Sequence, residues 1–525
     1  MTASRGHTWT ALWGLIVLLG AAAAILRPLN HDTGWYLYMA DTFLHGGRLY
    51  VDVVDTNPPL IILFTIVPVA VANAVGVAPA WVFALTVFVL AFGSGVASLH
   101  LLRQAWPAAT PAVHGLLGCS VLFLLLVAPA YDFGQREHLT VIATLPYVLA
   151  VVLHALHRTV KPGAGVAVGL AGALGFAIKP HFLVAWIAVE AALMGLRRTT
   201  RTLWRPEAFA LLAIWILYAL LAIAFFPEYF DVAGRVWQVY GALNAQASVL
   251  PGLRELQVAA VLLAIVALLR LPREYHAPLA IVTAAACGFL AASLLQLKGW
   301  GYQMLPPRVY LALLVVLIVA GLLQAMPALA GRLRLGAAGV AGVIALSLTA
   351  ISAKYVADAR TGPLQDFVSP LAALVREHAP RGPIATLAMH TLVYPSFPLV
   401  NHTRAPWSLR HHSLWFLAAF YERELAAPWP DPVVLHARAA MSPLERQFYD
   451  EIISDLCRLP PRLLIVEAPS PLGPRGSRSL DLLAYYRQDP RVTRLLETYR
   501  EIAVIAPFTV FKAEGTLDCS GGVAG

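Results

Sequence analysis

The sequence predicts a polytopic α-helical membrane protein that ends in a soluble α/β domain. Of its 525 residues, 59% are hydrophobic and only 13% are charged, whereas a soluble domain averages about 45–50% apolar and about 25% charged residues. Apolar runs of ~18 residues or more recur through residues 1–353, and each is long enough to cross a hydrocarbon core of about 30 Å. From residue 354 onward the chain is richer in charge, proline and histidine.

About eleven of the apolar runs are predicted to be transmembrane helices. They are residues 9–26, 79–101, 113–130, 138–157, 163–178, 181–196, 208–226, 257–270, 277–297, 308–327 and 335–353. The apolar run 58–76 is a separate case. Pro58 and Pro59 begin it, which suits the first turn of a helix, and Gly76 ends it.

Basic residues decide whether the run 58–76 crosses the membrane. If it lies in the interface, the later clusters of Arg and Lys all fall on the side of the N-terminus, which the positive-inside rule assigns to the cytoplasm. These clusters are Arg103, Arg158, Lys161, Arg197, Arg198, Arg201, Arg205, Arg270, Arg273, Arg332 and Arg334. If the run crossed, the clusters would face outward. We therefore predict a juxtamembrane helix at 58–76, a first outer loop at 27–57 and an extracytoplasmic domain at 354–525.

The C-terminal domain has the patterns of a small α/β fold. "PIATLAM", "RLLIVEA" and "FTVFKAE" predict strands, and "LQDFVSPLAALVREH" and "SLDLLAYYRQ" predict helices. Cys457 and Cys519 both lie in this domain. Two alternatives stay open for them: a disulfide, if the domain is outside the cytoplasm, or two free thiols.

The first outer loop is acidic and rich in aromatic residues. It reads "LNHDTGWYLYMADTFLHGGRLYVDVVDTNPPL". Its first half has apolar residues at helical spacing, which predicts an amphipathic interfacial helix with Asp32 as its N-cap. Asp52 and Asp55 stand three residues apart before the Pro-Pro pair. They are candidates for binding an acceptor sugar or a cation, but the ordering of a turn is the favoured interpretation.

These features together resemble the GT-C superfamily of integral-membrane glycosyltransferases. The carriers of the resemblance are an aspartate just after the first span, an amphipathic helix, "HGGRLYVDVVDTNPPL" and a juxtamembrane helix. They are most similar to the branch of the protein O-mannosyltransferases and lipid A aminoarabinose transferases. The resemblance implies that Asp32 is the catalytic or metal-binding carboxylate. Where the aminoarabinose branch has Lys-Pro-Pro, this chain has Asn57-Pro58-Pro59.

A second acidic segment, "APAYDFGQREHLTVIATLPY", opens the fourth predicted span. Asp132, Glu137 and His138 lie there at the membrane edge, where charged groups are costly and usually line a cavity or pair with one another. Its position after the third span matches the second acidic motif of GT-C enzymes. We expect these residues to bind substrate, or Asp132 and Glu137 to share a divalent cation, Mg or Mn, with Asp32. The alternative is an Arg136–Glu137 rim pair that only sets the depth of the helix.

Two further outer segments supply cations. Lys179 lies in "FAIKPHFLV", and Lys298, Tyr302 and Arg308 lie in "LLQLKGWGYQMLPPR". Cations and tyrosine hydroxyls of this kind suit the phosphate of a lipid-linked sugar, although interfacial anchoring is the alternative for each. The stretch "YPSFPLVNHTRAPWSLRHHSLWF" suits a structural or lid role. The sequence has no Walker loop and no dinucleotide fingerprint, which disfavours a nucleotide-sugar donor.

We therefore expect a transferase that moves a sugar from a polyprenyl-phosphate donor to a hydroxyl of a glycan, lipid or protein acceptor, with Asp32 as general base. Alternatives are a transporter or flippase of lipid-linked sugars and a glycan polymerase or ligase of another fold. The net charge of +9 fits cytoplasmic loops beside a lipid bilayer rather than a nucleic-acid partner. Richness in Ala, Arg and Pro indicates a GC-rich bacterium, so the site is expected to face the periplasm from the inner membrane.

Overall fold

The fold is given by a computed structural model with helices along most of the described chain. The described residues are 2–241, 254–258, 260–262, 264, 271–325, 331–358, 364–389, 395–426, 433–468, 480–515 and 519. They form two compact units. Unit 1 comprises Met1–Pro28, Val71–Phe225 and Ala247–Arg360, and unit 2 comprises Leu29–Ala70, Phe226–Gln246 and Thr361–Gly525.

The helices and strands are numbered in chain order. The helices before residue 360 are α1 (Thr2–Leu26), α2 (His31–Leu44), α3 (Pro59–Val75), α4 (Pro79–Ala105), α5 (Pro111–Leu126), α6 (Arg136–Ala155), α7 (Pro162–Ala177), α8 (Leu183–Arg197), α9 (Pro206–Phe225), α10 (Pro227–Tyr240), α11 (Arg273–Leu295), α12 (Leu305–Ala325) and α13 (Gly331–Asp358). Those after it are α14 (Leu364–His378), α15 (Ser396–Thr403), α16 (Leu417–Phe420), α17 (Glu422–Ala426), α18 (Pro443–Arg458), α19 (Leu482–Tyr486) and α20 (Pro490–Glu497). The strands are β1 (Ile384–Leu387), β2 (Leu463–Glu467), β3 (Tyr499–Ile505) and β4 (Phe508–Ala513).

Unit 1 is a bundle of apolar helices. Within the described residues, seven are long and apolar enough to cross a membrane: Thr8–Leu26, Pro79–Ala105, Arg136–Ala155, Pro180–Arg197, Pro206–Phe225, Arg273–Leu295 and Gly301–Ala325. Three more predicted spans coincide with the shorter apolar helices Pro111–Leu126, Pro162–Ala177 and Gly342–Lys354. The predicted span 257–270 lies mostly outside the described residues. The predicted polytopic membrane fold is confirmed.

The surface of unit 1 is consistent with lipid as its solvent. On α9, Leu220 is 59% exposed and Phe225 is 70% exposed. A soluble protein rarely exposes a large contiguous apolar patch, because contact between apolar surface and water is unfavourable. This chain is therefore an integral membrane protein.

The acidic loop begins with α2, whose cap differs from the prediction. The side chain of Asn30 accepts a 3.0 Å hydrogen bond from the backbone N–H of Asp32, and Asn30 has the extended backbone of an N-cap. The prediction that Asp32 is the N-cap is therefore wrong, and Asp32 lies in the first turn. After the loop, the apolar run 58–76 forms the helix α3, which starts at Pro59, and its juxtamembrane placement stays a prediction.

Unit 2 is built on a four-stranded sheet with the order β1-β2-β4-β3. β1 and β2 pair in parallel, with Ile384 beside Leu463, and both strands are fully buried. β4 pairs antiparallel with both β2 and β3. All three predicted strands are present, and α14 has the predicted bounds, so the predicted α/β region is confirmed. Cys457 and Cys519 form a disulfide, which decides between the two alternatives for these cysteines.

The first outer loop is an integral part of unit 2. The N–H of Val54 donates a 2.8 Å hydrogen bond to the carbonyl of Arg410. At Gly34, α2 lies so close to α15 that an added Cβ would be 2.6 Å from Oδ1 of Asn401. The side-chain amide of Asn401 donates a 3.0 Å hydrogen bond to the carbonyl of Gly34. The ring of Trp35 meets that of Phe397 edge to face at 4.9 Å. Residues far apart in sequence therefore fix the position of α2.

Candidate active site

Asp32 lies in the first turn of α2, among largely buried groups. Its side chain is 15% exposed, and Oδ1 is 3.6 Å from Nε2 of His31. The positive end of the helix dipole stabilises a carboxylate at this position. Asp32 is therefore a partly exposed carboxyl group at a helix N-terminus.

A second histidine, His412, lies near Asp32. Its ring packs edge to face on that of Trp35 at 5.4 Å. Trp35 is three residues after Asp32 on α2, so both project from the same face of the helix. Burial lowers the pKa of His412 to about 3, and the negative charge of Asp32 opposes this shift. The His412 imidazole is therefore neutral at pH 7.

Asp52 and Asp55 both accept hydrogen bonds from the first outer loop, as expected if they order a turn. Asp55 is 4% exposed. Its Oδ2 accepts a 2.6 Å hydrogen bond from Nε1 of Trp35, and its Oδ1 accepts one of 2.6 Å from the N–H of Asn57. Asp52 accepts a 2.8 Å hydrogen bond from the N–H of Arg48 through Oδ2. Both carboxylates thus bind groups of the loop itself.

In unit 1, two cations lie over one aromatic ring, and a carboxylate pairs with one of them. We call Arg136, Glu137, Lys179 and Tyr302 the Tyr302 cluster. Nζ of Lys179 lies 5.3 Å from the ring centroid of Tyr302, and the Arg136 guanidinium carbon lies 5.7 Å from it. Both cations are at most 5% exposed. Cations above an aromatic face interact with its quadrupole, the more strongly when desolvated.

Glu137 supplies the negative charge of the Tyr302 cluster. It is fully buried, and its Oε1 accepts a hydrogen bond from Nζ of Lys179. Its Oε2 is buried and accepts no hydrogen bond from any described residue. A buried hydrogen-bond acceptor that has no donor lowers the stability of the folded state by about 1–3 kcal/mol. The Tyr302 cluster therefore combines two cations with one carboxylate, one oxygen of which accepts no hydrogen bond within the described residues.

Three other predicted residues also belong to unit 1. Lys298 is 1% exposed and precedes Gly299, whose φ of +62° is one that glycine adopts readily. Asp132 closes a 3₁₀ turn, Ala130–Asp132, and is partly exposed. Nε of Arg308 donates a 2.8 Å hydrogen bond to Oε1 of Glu255, so the charge of Arg308 is paired within the protein.

His138 has a structural role that does not suit a substrate-binding residue. Its ring is fully buried. Nδ1 accepts a 3.0 Å hydrogen bond from the N–H of Gly134, and Nε2 donates one of 2.8 Å to the carbonyl of Leu125. Both ring nitrogens therefore hold the connection from α5 to α6, and we leave His138 out of the proposed site.

The donor set does not fit the predicted divalent cation. In the part of the chain that the structure describes, no three His, Cys, Asp or Glu side chains group closely enough to hold a metal ion. Of the predicted ligands, Glu137 is already neutralised by Lys179. No step of the proposal below therefore uses a metal, and the Mg or Mn site stays a prediction.

Sequence reasoning missed a second buried ionic group in unit 1. Arg205, predicted as a loop cation, is 6% exposed and donates a 2.7 Å hydrogen bond to Oε1 of Glu190. The same oxygen accepts a 2.6 Å hydrogen bond from the hydroxyl of Tyr147. Tyr147 is ten residues beyond Glu137 on α6, about 15 Å along the helix axis. Glu190 inside an apolar run was the available signal.

Comparison with known proteins shows the fold. No family model and no curated protein matches the sequence. The crystal structure of ArnT from Cupriavidus metallidurans bound to undecaprenyl phosphate matches with a TM-score of 0.58 at 15% identity, over 97% of this chain and 99% of that chain. The same protein in the apo state matches with a TM-score of 0.50 at 16% identity, over 97% and 98%. At sequence identities of 15–16%, these structural matches show that the proteins share a fold.

Proposed function

We propose that this chain, which has the GT-C fold, is a membrane glycosyltransferase that uses a polyprenyl-phosphate-linked sugar as donor. The shared fold extends over nearly all of both chains, soluble region included. ArnT was crystallised with undecaprenyl phosphate, which is the leaving group that such a donor releases. The fold also argues against a glycan polymerase or ligase of another architecture.

The Tyr302 cluster is the observation that carries the proposal. Arg136 and Lys179 are both nearly excluded from solvent and lie beside the same tyrosine ring, and Lys179 also pairs with Glu137. A phosphate group suits such a site, because charge-assisted hydrogen bonds from Lys and Arg would hold it. We propose that the cluster binds the donor phosphate and that Lys298 and Tyr302 contribute to the same role.

Asp32 is proposed as the general base. The acceptor hydroxyl attacks the anomeric carbon, its proton passes to the Asp32 carboxylate, and the bond from that carbon to the phosphate oxygen breaks. The electron pair leaves with the polyprenyl phosphate, whose charge the cations offset. A single displacement of this kind inverts the anomeric carbon. The transition state is cation-like, so a carboxylate also stabilises it electrostatically.

Glu137 and Asp132 are proposed to position substrate. Oε2 of Glu137 is a buried acceptor with no hydrogen bond from any described residue, and a substrate hydroxyl would satisfy it.

A requirement for Mg or Mn would show as loss of transfer in EDTA and recovery on adding either ion. Unchanged transfer after chelation would remove the metal from the account.

We propose that unit 2 faces the periplasm of a bacterial inner membrane. The basic clusters support this orientation through the positive-inside rule. The Cys457–Cys519 disulfide supports it independently, because disulfides persist in oxidising compartments and are rare in the cytosol.

A transfer assay in lipid nanodiscs tests the function. The donor carries a radiolabelled sugar on undecaprenyl phosphate, and extracts of the bacterial envelope supply acceptors. We expect labelled acceptor and free undecaprenyl phosphate in equal amounts, both formed at least a hundredfold more slowly with Asp32→Asn. Asp41→Asn is the matched control, because Asp41 lies on the same helix with its side chain 42% exposed. Movement of intact donor across vesicles without cleavage would instead identify a flippase.

A further inference from the structure

One end of unit 1 has no role in the proposed mechanism. Two connections lie there, residues 156–161 between α6 and α7 and residues 198–205 between α8 and α9. Nη1 of Arg197, the last residue of α8, donates a 2.9 Å hydrogen bond to the carbonyl of His154 in α6. Nε2 of His154 in turn lies 3.2 Å from Oε1 of Glu207 in the first turn of α9. These contacts bring the two connections side by side.

Hydrogen bonds and ion pairs hold the second connection at both of its ends. At the end that leads into α9, Arg205 donates to Glu190 of α8, and its Nε lies 3.8 Å from Oε2 of Glu207. Carboxylates on α8 and α9 therefore offset the charge of Arg205 inside the protein. At the end that follows α8, Oγ1 of Thr199 accepts a 3.2 Å hydrogen bond from the backbone N–H of Arg201. The residues between these two ends form a 3₁₀ turn.

The formal charges of the two connections are all positive. Within residues 138–206 the sequence has a single acidic residue, Glu190, which is buried and paired with Arg205. The exposed cations of the two connections are Arg158, Lys161, Arg198 and Arg201. A cluster of four to eight Lys or Arg residues next to a membrane helix is typical of proteins that bind anionic lipid head groups. This end of unit 1 therefore has the charge that such a head group requires.

Trp204 joins the exposed cations to the lipid-facing surface of α9. Its side chain is 74% exposed, and its ring lies 5.4 Å from that of Phe209, which is 49% exposed on α9. The N–H of Trp204 donates a 3.0 Å hydrogen bond to the carbonyl of Arg201, and side chains three residues apart in a 3₁₀ turn lie on the same face. Tryptophan is enriched at the membrane–water interface. Because the cations adjoin a lipid-facing surface, we take lipid rather than a soluble anion as their partner.

We propose that Arg158, Lys161, Arg198, Arg201 and Trp204 form a binding surface for anionic phospholipids, which we call the basic lipid surface. The cations bind the phosphate of the head group through charge-assisted hydrogen bonds, and the Trp204 indole lies at the boundary between head groups and acyl chains. A zwitterionic lipid binds more weakly, because its own cation opposes the four positive charges. The inference is independent of the proposed function, because it uses neither Asp32 nor the Tyr302 cluster.

Photo-cross-linking of lipids locates the basic lipid surface on the unsubstituted chain. The full chain is placed in phosphatidylcholine nanodiscs with a trace of phosphatidylglycerol that carries a diazirine in its head group, and labelled peptides are mapped by mass spectrometry. A phosphatidylcholine probe with the same diazirine is the reference. We expect the phosphatidylglycerol probe to label residues 156–162 and 198–209 about fivefold more than the reference does. The excess should shrink when the salt rises from about 0.1 M to about 1 M, because salt screens exposed charges.

Two outcomes of the cross-linking would overturn the inference. One is an equal ratio of the two probes on these peptides and on the rest of the lipid-facing surface. The other is suppression of the excess by millimolar inorganic phosphate at constant ionic strength, which would identify a site for a soluble anion.

Paired variants test the role of the charges. Arg198→Gln with Arg201→Gln should raise the phosphatidylglycerol concentration that half-saturates labelling by about twentyfold, because each cation at a lipid surface contributes roughly fivefold. Arg198→Lys with Arg201→Lys keeps both charges and should match the parent. Arg487→Gln with Arg494→Gln, at two exposed positions of unit 2, is the matched control and should also match it. Parental labelling by the Arg198 and Arg201 glutamine variant would contradict the inference, and the map on the unsubstituted chain decides if that variant fails to fold.

Discussion

The buried indole of Trp35 donates a 2.6 Å hydrogen bond to Oδ2 of Asp55. This contact joins α2 to the loop twenty residues later, while Oδ1 of Asp55 holds the backbone of Asn57. Asp55 therefore helps to fix the helix that carries Asp32.

Asp55→Ala should lower the free energy of unfolding by about 1–3 kcal/mol, because the Trp35 indole and the Asn57 amide lose their acceptor. Melting of the purified protein measures this loss. Asp52→Ala, at an exposed position, should shift the melting temperature less. A melting temperature unchanged by Asp55→Ala, together with lost turnover, would instead place Asp55 in the reaction.

Replacing either Glu137 or Lys179 alone should lower the stability of the protein, because the two side chains form a buried ion pair. Glu137→Gln or Lys179→Met removes one partner of a buried ion pair and should destabilise the protein by about 3–5 kcal/mol. The double variant should recover much of that stability but not transfer, because the phosphate loses a cation and the acceptor loses Glu137. Recovery of both stability and transfer would show that the pair is purely structural.

The Arg235–Glu451–His411 network predicts a pH effect on stability. Burial alone would raise the pKa of Glu451, but the hydrogen bond and charge of His411, followed by those of Arg235, bring it to about 2 from an ordinary 4.5. A carboxylate with a lowered folded-state pKa stabilises the fold above pH 4.5, and the contribution is lost as the pH falls toward 2. The melting temperature of Glu451→Gln should thus lie well below that of the parent at pH 6 and approach it near pH 3. A constant difference would contradict the lowered pKa.

The disulfide gives a test of orientation. Cys457→Ser should destabilise unit 2 by about 2–4 kcal/mol and leave Cys519 as a thiol. A membrane-impermeant maleimide should then label Cys519 from the periplasmic side of intact spheroplasts. The parent should be labelled only after reduction. Labelling of Cys519 solely in inverted vesicles would place unit 2 in the cytoplasm.

The sequence predicted what depends on local pattern. The three buried strands and α14 were found because each is an apolar or amphipathic run. β3 was missed because Arg500 and Glu501 are exposed on it and interrupt any such run. The cap of α2 was assigned to Asp32 because Asn30 and Asp32 are both good capping residues, and local preference does not choose between them.

The composition of the site depended on distant contacts. Lys179 and Glu137 were both predicted to bind substrate, but their pairing across 42 residues follows only from the packing of α6 and α7. His412 lies near Asp32 because α15 and the segment that follows it pack against α2, and no sequence pattern reports a proximity of that kind. Asp55 had both a loop role and a ligand role open, and its two hydrogen bonds favour the loop role.

Transfer by Asp32→Asn, compared with Asp41→Asn and the parent in the same nanodiscs, tests the central claim most directly. The substitution keeps size and hydrogen bonding but removes the base, whose contribution is about 10²–10⁴-fold. We predict that Asp32→Asn binds undecaprenyl-phosphate sugar with unchanged affinity and transfers it at least a hundredfold more slowly, while Asp41→Asn matches the parent. Transfer by Asp32→Asn at the parental rate would contradict the account.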